Sequence, residues 1–184
     1  MKRFATAAIA ILLAFAASAA EPPGDSIYQL DAALVTQSGA AARLDLDRGA
    51  PTLIALFYAS CRAVCPATIN GIQSYERRLD ATARSQLRVL MVSLDGERDT
   101  PQNLAALARK HRVDPDRWTF ARADDADVRK IAALLGVQYR RAPSGDYDHT
   151  ALITLLDGEG RIVAHTSQLS GDQAFAAQLR GALR

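Results

Sequence analysis

The chain of 184 residues is poor in the side chains that build elaborate cross-linked or soft-metal frameworks, with two Cys, two Met and one Trp. Two cysteines cannot make a disulfide scaffold, and Met1 and Met91 alone cannot make a methionine-rich metal site. Aromatics are only 6%, yet 49% of residues are apolar and 23% charged, with 11 Gly and 7 Pro, which excludes collagen, disorder and coiled coil. Charge of one sign is lacking too. Without Lys2 and Arg3 the 22 basic residues fall to 20, against 20 acidic ones, so the remaining chain is formally neutral. No Lys/Arg-rich run and no Gly-rich phosphate loop occurs, so a nucleic-acid ligand is not expected.

One long apolar run is present, and it is N-terminal. Lys2 and Arg3 precede an uncharged stretch from Phe4 to Ala20, about 17 residues, ending in Ala16-Ala17-Ser18-Ala19-Ala20. This is the layout of a cleavable secretory signal over residues 1–20, and Pro22 and Pro23 stop a helix from continuing beyond it. The run is at the lower limit for a spanning helix, so cleavage and a periplasmic location are expected over anchorage. Residues 21–29 read as a short linker and 30–184 as one domain, long enough to bury a core without cross-links.

Thr52 to Tyr58 and Leu87 to Leu94 are continuous apolar runs of the kind found in strands covered on both faces. Between them Ile69, Ile72, Tyr75 and Leu79 recur at helical spacing. Thr100 as cap and Pro101 as first residue open a second helix that ends near His111. Trp118 to Ala121 follows as a short strand, then a helix from Asp124 to Leu135 stopped by Gly136. Ala151 to Leu156 and Arg161 to His165 flank the turn Asp157-Gly158-Glu159-Gly160, and Phe175, Leu179 and Leu183 mark a last helix. Parallel crossovers followed by an antiparallel edge predict an α/β, thioredoxin-like fold, a central mixed sheet flanked by helices.

Cys61 and Cys65 lie in SCRAVCP, between the first buried strand and the helix after it. In an exported protein a close pair staples a loop, exchanges disulfides or binds a metal, and so short a loop gains little from stapling. A helix N-terminus favours thiolate, the form that attacks disulfides and ligates metals. Of the three histidines, His149 follows Asp146-Tyr147-Asp148 in an expected loop at a strand mouth, where a ligand is useful. His111 and His165 read as structural. A thiol peroxidase would carry Thr three positions before its reactive cysteine, and position 58 is Tyr.

The segments LFYASCRAVCP (56–66), VSLDGERDTPQNLAALARKH (92–111) and YDHTALITLLDGEGRIV (147–163), in that order, resemble the Sco/SenC family over roughly 30–183. The resemblance implies a thioredoxin-like domain that binds one copper through Cys61, Cys65 and His149. It implies a carrier serving maturation of the copper centre of cytochrome c oxidase rather than a turnover enzyme. Its expected partners are the copper-bearing oxidase subunit or another copper apoprotein, near a membrane. It also points to Asp95 as an acidic residue near the metal that tunes redox behaviour, with a solvated turn residue or a partner for Arg98 as the alternatives. Two thiolates and an imidazole suit Cu(I) and can hold Cu(II), whereas structural zinc would want a fourth protein ligand. The chain departs from the family in Arg62 and Gly96, both commonly Pro there. A second function fits the same cysteines, that of a thiol-disulfide oxidoreductase for exported or copper-site proteins, and it has no need of His149.

Overall fold

A computed structural model of the chain describes residues 21–61 and 64–184. The expected signal over 1–20 and Arg62, singled out beside Cys61, lie outside the described residues.

Among the described residues a seven-stranded sheet forms the centre. Its strands are β1 (Ala33–Thr36), β2 (Ala41–Arg43), β3 (Thr52–Phe57), β4 (Arg88–Ser93), β5 (Trp118–Arg122), β8 (Ile153–Leu156) and β9 (Ile162–Thr166). Two further strands, β6 (Tyr139–Arg141) and β7 (Tyr147–His149), form a separate antiparallel pair. The main sheet runs in the order β2-β1-β5-β4-β3-β8-β9, with β3, β4 and β5 parallel and the remaining pairings antiparallel. The helices are α1 (Val64–Glu76), α2 (Ala81–Gln86), α3 (Pro101–His111), α4 (Asp125–Leu135) and α5 (Gln173–Ala182). This is the thioredoxin-like mixed sheet that the order of elements predicts.

The apolar runs alternate between two cores because successive strand residues point to opposite faces. Leu53, Ala55 and Phe57 of β3 join Val89 and Met91 of β4 in a cluster with Ile69, Ile72 and Tyr75 of α1, Leu104 of α3 and Phe175 of α5. Ile54, Leu56, Leu90 and Val92 face the other way, onto Val128, Ile131 and Leu135 of α4. Residues 21–29 are not all linker. Ile27 and Tyr28 are 2% and 5% exposed in that second cluster, so the packed body starts near Ser26. Two apolar side chains drive this burial, whereas composition registers only Pro22, Pro23 and Gly24.

The helix signals act as read. The Thr100 hydroxyl accepts from Asn103 N, Pro101 opens α3, and Gly136 stops α4 in the left-handed region at φ 70°. Gly96 has no room for a side chain, because a Cβ would overlap the Ala123 carbonyl oxygen. The Pro common in the family at that position would therefore not fit here. Among the described residues no helix is long and apolar enough to cross a membrane.

Candidate metal centre

The cysteine pair lies at the C-terminal end of β3, where parallel strands of an open sheet present their loops. After Phe57 the chain turns through Tyr58, whose carbonyl accepts from Cys61 N at 3.2 Å, and α1 begins at Val64. Cys65, second in that helix, donates its backbone N–H to Cys61 Sγ at 3.3 Å. Cys61 thus takes one of the unpaired N–H groups of the helix start, a contact that strengthens with negative charge on sulfur. Neither cysteine is in a disulfide. Their surroundings differ. Cys61 is half-buried and Cys65 is 3% exposed. Burial pushes the Cys65 thiol well above its ordinary range, so desolvation outweighs the helix N-terminus and the expected thiolate preference does not hold at Cys65.

His149 closes on Cys65 from the other side of the site. It is the last residue of β7 and not a loop residue, because Tyr139 pairs with His149 and Arg141 with Tyr147 in the short β6–β7 ladder. His149 Nε2 stands 3.8 Å from Cys65 Sγ, across 84 positions of sequence. Its Nδ1 lies 3.1 Å from the Thr150 carbonyl oxygen, which assigns the ring proton to Nδ1 and leaves the Nε2 lone pair toward sulfur. Burial holds its pKa below the ordinary histidine value, favouring that neutral ring. Tyr58 packs edge-on to His149 at 6.1 Å between centroids and against Tyr147 at 5.4 Å. Its hydroxyl is pushed up to about 12, chiefly by burial, so it remains neutral beside Cys61.

Sulfur and nitrogen bound to one ion at about 2.3 and 2.0 Å stand roughly 3.7 Å apart at a trigonal angle. The 3.8 Å between Cys65 Sγ and His149 Nε2 matches that separation. Among the described residues no three His, Cys, Asp or Glu side chains already form a cage. Cys61 Sγ is the further soft donor beside this pair, and the Cys65 N–H it accepts at 3.3 Å can persist while sulfur ligates a metal.

Asp95 is 2% exposed and bound to Arg98, whose guanidinium also reaches the Gly145 carbonyl in the β6–β7 turn. It is the Arg98 partnership, not a described contact with Cys61, Cys65 or His149, that engages this carboxylate. The carboxylate under the cysteine loop is Asp99, which the sequence reading passed over. It is 3% exposed and accepts from Ala59 N at 2.9 Å and from the Ser93 hydroxyl at 2.5 Å. Burial raises its pKa against the pull of those two donors. The available signal was a second Asp four positions after Asp95 and just before the Thr100-Pro101 helix start.

The pattern of the SCO1/SenC family matches residues 21–184. A SCO2-like protein of Rickettsia prowazekii is 23% identical over 138 residues, covering 72% of this chain and 65% of the relative. A Stutzerimonas stutzeri protein with the provisional name copper-binding protein is 24% identical over 112 residues, 59% of this chain and 53% of the relative. The chain thus spans between about half and two thirds of the length of these curated relatives. Among solved structures, Bradyrhizobium japonicum ScoI with copper bound superposes with a TM-score of 0.70 at 28% identity, over 83% of this chain and 98% of that one.

Proposed function

The chain belongs to the SCO1/SenC family, and from that premise we propose that it is a copper-binding chaperone which holds one copper through Cys61, Cys65 and His149 and passes it to a copper apoprotein. The copper named for the Bradyrhizobium structure and the Stutzerimonas relative supports the choice of metal. The observation that carries the reading is the approach of Cys65 Sγ and His149 Nε2 to 3.8 Å. Metal ligation calls for that imidazole, whereas disulfide exchange by the two cysteines does not require it. Two soft sulfurs and one nitrogen satisfy Cu(I) and, with a weak further ligand, Cu(II). The recipient proposed is the copper-bearing subunit of cytochrome c oxidase, reached in the periplasm after export directed by residues 1–20.

A second reading, reduction of cysteines in exported or copper-site proteins, draws on the half-buried Cys61 beside a deeply buried Cys65. An accessible attacking sulfur and a protected resolving one suit disulfide exchange.

Anaerobic copper titration separates the two. The reduced chain should take up one copper and the Cys61–Cys65 disulfide form almost none, because a disulfide sulfur lacks thiolate charge. Equal uptake by oxidised and reduced protein after desalting would overturn the copper reading.

A further inference from the structure

A second cleft lies at the opposite end of α1 from the cysteines, about 17 Å along the helix axis from Cys65. It encloses about 230 Å³ between the ends of α1 and α3, helix α2 and the residue before β5, and four of its lining residues are Arg77, Arg84, Arg112 and Arg117. Four guanidinium groups face two carboxylates there, Glu76 and Asp114, and Arg117 binds both, at 2.5 and 2.9 Å. Arg84 donates to the uncharged backbone carbonyls of Glu76 and Leu79. Arg77 and Arg112 are exposed and have no ion-pair partner among the described residues. In a chain whose charge nearly cancels, this is a local positive surplus. His111, which also lines the cleft, has Nε2 buried without a hydrogen-bond partner, and Arg112 beside it is the left-handed cap that ends α3.

We propose that this cleft is an oxyanion site for a phosphoryl group, taken from an anionic lipid headgroup or from a soluble phosphate. Arginine presents several N–H donors in a fixed fork that matches phosphate oxygens, and Arg77 and Arg112, with no described carboxylate partner of their own, are the forks left to take one. The volume admits one such group and not a duplex backbone. The described chain enters the fold at the same end, where Ile27 N binds the Gly160 carbonyl at 3.0 Å and Ser26 Oγ the Glu159 carbonyl at 2.5 Å. That end carries the starts of β3, β4 and β5, since Thr52 pairs with both Arg88 and Leu156. A lipid headgroup bound there would turn the cysteine end of the sheet away from the membrane.

The test compares the full chain with an R77Q/R112Q double variant, since neither arginine holds a described ion pair that the fold could lose. Binding is measured by sedimentation with phosphatidylcholine vesicles with and without phosphatidylglycerol, and separately by thermal shift with inorganic phosphate. Each arginine near an anionic surface strengthens binding roughly fivefold, so the double variant should lose on the order of 25-fold in affinity for the phosphatidylglycerol vesicles. A phosphate-dependent thermal shift that disappears in the variant, without vesicle binding, assigns the site to a soluble phosphate instead. If parent and variant respond alike to both probes, the proposal is wrong. It is equally wrong if only an acidic peptide such as polyglutamate tells them apart, because the face would then recognise carboxylates on a protein.

Discussion

At the scale of single residues the centre is asymmetric, with one half-buried cysteine, one deeply buried cysteine and one imidazole whose proton is held by a backbone carbonyl. That division makes the role of His149 separable from that of the cysteines. His149→Ala should weaken Cu(II) binding on the order of tenfold or more while leaving Cu(I) binding and small-disulfide exchange little changed, since two thiolates alone can hold Cu(I). Competition with chelators of each oxidation state measures this. Disulfide exchange falling as far as Cu(II) affinity would instead make His149 a base for the cysteines. Asp99 has a different task, holding Ala59 N and Ser93 Oγ under the cysteine loop. Asp99→Ala leaves the part-buried Ala59 N–H and the buried Ser93 hydroxyl without their acceptor, at roughly 1 to 3 kcal/mol each, so a loss of about 2 to 6 kcal/mol is expected in urea denaturation. A variant as stable as the parent would show that water replaces the carboxylate without cost.

At the scale of elements the long parallel strands and their helices were readable because period and capping agree, as at Thr100-Pro101 and Gly136. The β1–β2 and β6–β7 pairs and α2 were not. Tyr139–Arg141 and Tyr147–His149 are three residues each and mostly polar, and beside their backbone ladder the pairing of Arg140 with Asp148 at 2.9 Å, the Tyr139–Tyr147 ring contact and the turn at Gly145 bring them together. The pair nonetheless matters most for the centre, because it carries His149. Helix α1 depends on a glycine at its middle. A Cβ at Gly71 would overlap the Leu169 carbonyl oxygen, against a gain in helix propensity of up to about 1 kcal/mol. Backbone cannot yield as a side-chain tip does, so Gly71→Ala should be destabilising by about 2 kcal/mol. Thermal denaturation checks this, and a raised midpoint would mean that the 169 segment is free to move.

For the whole molecule, the balance of charge hides a polarity of function, with soft donors at one end of the sheet and a surplus of guanidinium at the other. Stability should also depend on pH through histidines remote from the cysteines. Burial depresses the pKa of both His111 and His165 below the ordinary value near 6.5. A depressed folded-state value means that the unfolded chain binds more protons. Their contribution is therefore present above about pH 6.5 and is lost as pH falls toward the lower folded values. Between about pH 7.5 and 5.5 the urea midpoint of the parent should drop, and a His111→Gln/His165→Gln variant should show a flatter slope. An equal slope in both would assign the acid sensitivity to other groups.

The sequence alone determined the order of β3, α1, β4, α3, β5, α4, β8, β9 and α5, the two-faced burial of Thr52–Phe57 and Arg88–Ser93, and the position of Cys61 and Cys65 at the mouth of a parallel strand. These follow from local periodicity, capping and the rule that such strands bury both faces. Only the tertiary structure decided that His149 comes within 3.8 Å of Cys65, that Asp99 lies beneath the loop while Asp95 is held by Arg98, and that four arginines, from α2, from just after α1 and α3 and from just before β5, share one cleft. Each of those facts joins residues far apart in the chain through packing that no local pattern encodes. Desolvation, which lifts the thiol of Cys65 against the helix N-terminus, belongs with them, because burial is a property of the assembled core and not of the segment that carries the cysteine.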